Sequence, residues 1–181
     1  MTPTDNSVAL ATFAGGCFWC MQPAFDQTPG VLKTTVGYSG GDRPKPRYEQ
    51  VVTGATGHSE AIQIEFDPQE VGYSQLLEIY WQNIDPTQEN GQFADIGSHY
   101  QTVIFYHDEG QRVEAEASKQ GLAESGKFSA PIVTQILPAK DFYPAEEYHQ
   151  KYYEKNPLHY EAYKIGSGRA RFLSKNWGKK S

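Results

Sequence analysis

Hydrophobic and polar positions alternate most regularly over residues 59–66, where Ile62, Ile64 and Phe66 are separated by Gln63 and Glu65. A period of two predicts a β-strand with one apolar face, and the same period puts Glu60 on that face. Less regular β-prone runs occupy 8–14, 31–38, 102–106 and 132–137. Leu77, Tyr80, Trp81 and Ile84 share one side of a predicted helix, with Ser74 as its cap and Asp85-Pro86 as its end. Residues 108–125 read as a polar amphipathic helix stopped by Gly126, and residues 145–155 as a helix ended by Asn156-Pro157. A helix starting at Cys17 would meet Pro23, which predicts a kink or a shortened first turn. Shorter pieces are a possible helix at 48–52 and a polar loop from 86 to about 98.

Strands that alternate with helices predict an α/β (α+β) two-layer sandwich. Its preferred form has a mixed sheet with a split β-α-β, ferredoxin-like core. Beyond Asn156-Pro157 the pattern loosens, which predicts an irregular C-terminal tail. The 181 residues fit one catalytic domain, 1–181, with 1–7 and 174–181 loosely ordered.

Charge narrows the function classes. A formal net charge of −6 argues against general nucleic-acid binding, which needs a concentrated positive surface. The one basic cluster, Arg169, Arg171, Lys175, Lys179 and Lys180, reads as a solvated tail. No apolar run approaches membrane-spanning length, and residues 1–7 lack the basic-then-apolar pattern of an export signal. The expected location is cytoplasmic, where closely spaced thiols are more often catalytic than structural.

Both cysteines of the chain fall in Gly15-Gly16-Cys17-Phe18-Trp19-Cys20. The paired glycines place Cys17 at a strand-to-helix corner, where free backbone N–H groups and the helix dipole favour thiolate over thiol. Cys17 is therefore the candidate nucleophile. Cys20, one helical turn on, suits packing or a resolving role equally well. Phe18 and Trp19 are either core aromatics or the walls of a pocket for a small apolar group. A carboxyl at Glu60 on an apolar face is desolvated, so its pKa rises and it can serve as an acid near neutral pH. The five histidines are scattered, and neither a zinc spacing nor a phosphate-binding glycine loop is present; no metal or organic cofactor is expected. Residue types alone lead to a thiol redox enzyme. A general thioredoxin-like disulfide oxidoreductase and a non-enzymatic redox-sensing or metal-binding module remain as alternatives.

Several segments together resemble the A-type peptide methionine sulfoxide reductases. They are Gly15-Gly16-Cys17-Phe18-Trp19, Val36-Gly37-Tyr38-Ser39-Gly40-Gly41, Pro46-Arg47-Tyr48, Thr56-Gly57-His58-Ser59-Glu60-Ala61, Asp85-Pro86-Thr87 and Ala94-Asp95-Ile96-Gly97-Ser98-His99-Tyr100. Glu147-Tyr148-His149-Gln150 and Lys155-Asn156-Pro157 extend the resemblance along the chain. It implies an enzyme that reduces the S epimer of methionine sulfoxide, free or in proteins. Cys17 would be its nucleophile, and Phe18 and Trp19 would hold the substrate methyl. Glu60, Tyr48 and Tyr100 would surround the sulfoxide oxygen, with Asp95 lining or orienting the site. Thioredoxin is the implied reductant. Many relatives carry resolving cysteines in a glycine-rich C-terminal tail, but Gly166-Ser167-Gly168-Arg169 has none, which leaves Cys20 as the only internal thiol for that role.

Overall fold

The computed structural model describes residues 7–178. Its strands are β1 (Ala9–Gly15), β2 (Val31–Ser39), β3 (Ser59–Phe66), β4 (Gly91–Gln92), β5 (Asp95–Ile96), β6 (Thr102–Tyr106), β7 (Gln135–Pro138) and β8 (Tyr143–Pro144). The helices are α1 (Phe18–Asp26), α2 (Tyr48–Val51), α3 (Tyr73–Trp81), α4 (Glu109–Glu124), α5 (Tyr152–Lys155), α6 (Pro157–Gly166) and α7 (Arg169–Trp177), with 3₁₀ turns at Ser98–Tyr100 and Glu147–His149.

Six strands form one mixed sheet in the order β7-β6-β1-β3-β2-β8, and β4 pairs with β5 separately. β3 runs antiparallel to both β1 and β2, so β1-α1-β2 is a split unit with β3 inserted between its parallel strands. β3-α3-β6 repeats the device around β1. The four central strands thus have the ferredoxin-like order, extended by β7 parallel to β6 and by β8 antiparallel to β2.

The period of two in β3 sorts its side chains. Ile62, Ile64 and Phe66 join Phe13, Met21, Phe25, Leu76, Leu77 and Tyr80 in the main core under α1 and α3. Phe13 stacks on Tyr80 at 4.9 Å and on Phe25 at 5.7 Å. Ala61 lies on the opposite face in a small cluster with Ala14, Val103 and Phe105. Helices therefore cover chiefly one face, which makes the sandwich two-layered.

Local details depart from the sequence reading. α1 continues past Pro23 with Met21 and Phe25 on either side buried in the core, and its first turn is tightened, with Cys20 N–H donating to Cys17 O at 3.1 Å. α3 starts one residue before Ser74; its cap is Gly72, whose N–H donates to the Gln75 side chain at 2.8 Å. The helix expected over 145–155 is broken by Lys151 in a left-handed conformation at φ 50°. There the Gln150 amide leaves the helix to pair with β2: it accepts from Val36 N–H at 3.0 Å and donates to Val36 O at 2.8 Å. The C-terminal tail is helical rather than irregular, since Pro157 ends one helix and serves as the first residue of the next. Residues 174–177, expected to be loose, complete α7, where Trp177 packs against the core and lies under Lys127 Nζ at 4.3 Å. Of the loose ends expected, 1–6 and 179–181 lie outside the described residues.

Candidate active site

β1 ends at Gly15, and Gly16 turns the chain at φ +81°. A Cβ on Gly16 would lie 2.5 Å from Gln92 Cβ, so the corner requires glycine both for its backbone angle and for space. The turn delivers Cys17 to the N-cap of α1, and its side chain makes no capping bond. The first N–H of the helix, that of Phe18, donates to Glu60 Oε2 at 3.2 Å. Glu60 pairs with Tyr38 across β2 and β3, is 2% exposed, and faces the helix layer as its periodicity predicts.

A cavity of about 150 Å³ opens at this corner, lined by Cys17, Phe18, Trp19, Tyr48, Glu60, Asp95, Tyr100 and Tyr163. That is space for a small polar headgroup with an apolar substituent. Every residue implied by the resemblance except Cys20 is in its wall. Tyr48 comes from α2, Glu60 from β3, Asp95 from β5, Tyr100 from the 3₁₀ turn that follows and Tyr163 from α6, so five elements besides α1 converge on Cys17.

Burial raises the Glu60 carboxyl to about 8, against the opposing Phe18 N–H, and Asp95 and Cys20 push it in the same direction as burial. The group is therefore largely protonated at neutral pH. With Oε2 accepting from Phe18, Oε1 is the atom that presents the proton. Burial also pushes the Tyr48 phenol up to about 12 and raises that of Tyr100, so both remain O–H donors.

Cys17 and Cys20 are free, buried and close enough for each to shift the other's ionisation. Burial and the neighbouring Cys20 push the Cys17 thiol up, while the neighbouring Cys17 thiol brings Cys20 down to about 7, helped by Arg169 and Lys164. Cys20 is thus the thiol that ionises more readily, which reverses the expectation that the helix start favours a Cys17 thiolate: burial outweighs the helix terminus, whose first N–H is engaged by Glu60. Cys20 faces away from the small cavity into a groove of about 680 Å³ between α1, α3, α6 and α7.

Three residues of the site were not legible in sequence. Tyr163 completes the cavity wall and its O–H donates to Asp95 Oδ2. His149 accepts the Trp19 indole N–H. Arg169, read as part of a solvated tail, is 2% exposed and donates to Gly15 O at 3.0 Å and to Asn83 O at 2.6 Å. Periodicity gave no signal for these contacts, since each joins segments at least 68 positions apart.

A thiol at a helix N-cap, a second thiol one turn further along the helix and a largely protonated carboxyl facing the cavity of the first define a thiol-dependent oxidoreductase site on a ferredoxin-like sandwich. The chain belongs to the peptide methionine sulfoxide reductase family, whose model matches residues 9–181. It is 59% identical to the peptide methionine sulfoxide reductase MsrA of Bacillus pumilus, over 95% of this chain and 97% of that protein. The MsrA of Listeria monocytogenes is 55% identical, over 96% and 98% of the two chains. Among solved structures, reduced Mxr1 from Saccharomyces cerevisiae superposes with a TM-score of 0.79 at 31% identity, covering 84% of this chain and 88% of that one. Methionine sulfoxide reductase A of Corynebacterium diphtheriae gives 0.75 at 32% identity, over 87% and 79%.

Proposed function

We propose that the protein is a peptide-methionine (S)-S-oxide reductase whose single catalytic domain, 1–181, acts on free or protein-bound methionine sulfoxide with Cys17 as nucleophile. The observation that carries this reading is the protonated Glu60 carboxyl sharing a small, partly aromatic cavity with a helix-capping thiol. The relatives named above bear the same activity in their names.

Cys17 passes its proton to the thiolate of the more acidic Cys20 and attacks the sulfoxide sulfur as the thiolate. Glu60 gives its proton to the oxygen, on which negative charge would otherwise build as the S–O bond breaks, and the Tyr48 and Tyr100 hydroxyls donate hydrogen bonds to that oxygen. Phe18 and Trp19 enclose the methyl group, and Asp95, held by Tyr163, borders the site. Methionine leaves and Cys17 keeps the oxygen as a sulfenic acid, so the substrate sulfur is reduced by two electrons and the cysteine oxidised by two. Cys20 then displaces the oxygen as water and forms a disulfide with Cys17. A thioredoxin-class dithiol returns the pair to thiols and is itself oxidised to a disulfide; the groove beside Cys20, on the far side from the substrate cavity, supports access for such a reductant. No helix among the described residues is long and apolar enough to cross a membrane, and a cycle run through free thiols suits the cytoplasm.

The test is to incubate the protein with each sulfoxide epimer and dithiothreitol. Methionine should form from the S epimer alone, and no methionine from it would overturn the proposal.

A further inference from the structure

Arg169 opens α7, a helix remote in sequence from the cysteines, yet its guanidinium lies beneath the corner that carries Cys17. One amino group donates to Gly15 O, the other to Asn83 O, and a Cβ built on Gly16 would approach Arg169 Nη2 to 2.9 Å. The guanidinium carbon also stands 4.7 Å from the centre of the Phe93 ring. These contacts satisfy hydrogen-bond donors, but they supply no negative charge. Among the described residues, no carboxylate lies within ion-pair distance of this buried cation. A buried, unpaired charge is costly, and that cost falls when an anion forms nearby. The groups placed to supply one are the two thiols of the corner and the N-terminal turn of α1.

We propose that Arg169 is an electrostatic positioning residue, the fixed counter-charge for the thiolate that forms on the Cys17–Cys20 pair. It touches neither substrate nor sulfur in the reaction. It acts by holding the Gly15-Gly16 corner in place through its hydrogen bond and by making ionisation of the buried thiol pair easier. The other charged or ionisable groups facing the pair are Glu60 from β3, Asp95 from β5, Lys164, Tyr160 and Tyr163 from α6, Tyr48 from α2 and Tyr100 from the 3₁₀ turn. Glu60 is largely neutral at about pH 7 but opposes the thiolate as it ionises near about pH 8, and Asp95 opposes it throughout. Lys164 is the one other cation in this set and lines the groove at Cys20.

The proposal rests on the thiol chemistry described above, but its test needs no sulfoxide: the rate of iodoacetamide alkylation is followed against pH, with circular dichroism to confirm folding. In the unaltered protein the first thiol should titrate near neutrality; a midpoint at or above the ordinary cysteine value of about 8.5 would overturn the proposal without any variant. Arg169→Met keeps the bulk and removes the charge. Its midpoint should rise by about one unit, which slows alkylation about fivefold at pH 7 and roughly tenfold well below the midpoint. Arg169→Gln, which retains a donor, should shift the same way, whereas Arg169→Lys, which keeps the charge without the fork, should restore most of the original profile. A folded Met or Gln variant with an unchanged profile, or a Lys variant shifted as far as the neutral ones, would show that Arg169 only anchors α7. Should Met fail to fold, the comparison of Gln with Lys decides, and the midpoint of the unaltered protein stands in either case.

Discussion

The indole N–H of Trp19 donates to Nδ1 of His149 at 3.0 Å, across 130 positions of chain. Accepting there puts the imidazole hydrogen on Nε2, which stands 3.4 Å from Glu146 Oε2. Tyr152 stacks on the indole at 3.9 Å with the planes 9° apart, so the ring that would border the substrate methyl is fixed both at its edge and on its face. His149→Ala should leave Trp19 free to turn and raise KM for methionine sulfoxide about fivefold, the worth of roughly 1 kcal/mol for one hydrogen bond, with a smaller change in kcat. His149→Gln, which can still accept the bond, should recover most of the loss in steady-state assays with dithiothreitol.

Burial pushes the pKa values of His149, His58 and His99 below their ordinary 6.5. The folded state then binds fewer protons than the unfolded chain, so the stability contributed by these neutral rings is complete above about pH 6.5 and is lost as pH falls. Glu60 titrates with the opposite sign across the same window, so the effect is read in Glu60→Gln, whose thermal unfolding midpoint should drop between about pH 7 and pH 5. A midpoint independent of pH across that window would contradict this assignment.

Glu60 works in the opposite sense. Its carboxyl is raised from 4.5 to about 8, so the folded state holds the extra proton and stability falls as pH rises through that interval. Activity that depends on the proton should decline above about pH 8. Glu60→Gln should lower kcat/KM by roughly 10²–10⁴, the usual worth of a general acid, and abolish the alkaline decline in what remains. The same variant should resist unfolding at pH 9 better than the unaltered protein, because glutamine leaves no charge to bury.

Cys17→Ser should abolish methionine formation. Cys20→Ser should still release one equivalent of methionine when no reductant is present, and then hold Cys17 as a sulfenic acid. The unaltered protein, treated in the same way, should lose both thiols to a Cys17–Cys20 disulfide. Mass spectrometry after one equivalent of sulfoxide separates the two products. A lasting sulfenic acid in the unaltered protein would show that Cys20 does not resolve it.

Gly16→Ala should cost about 1–3 kcal/mol, since the new Cβ meets Gln92 at 2.5 Å in a backbone conformation that alanine adopts only under strain. Gln92 cannot readily give way, because its amide accepts from Asp85 N–H at 2.9 Å and donates to Asp85 O at 2.8 Å. A lowered unfolding midpoint, together with slower alkylation of Cys17, is the expected outcome.

Sequence by itself determined whatever depends on local periodicity and covalent order. The alternation in β3 predicted both the strand and the burial of Glu60, because side chains two apart on a strand share a face whatever surrounds them. Gly15-Gly16 before Cys17 predicted the corner, since glycine removes the steric bar to positive φ. Tertiary structure decided whatever depends on distant segments meeting. The helix expected over 145–155 breaks because Gln150 satisfies β2, an element more than 100 positions away, better than it satisfies its own turn. Arg169 looked like one of several solvated cations, and only the packing of α7 carries it under the Gly15-Gly16-Cys17 corner; Tyr163 reaches Asp95 in the same way. Charge and hydroxyl groups carry no period that announces a partner, so their roles arise from the fold that brings them together.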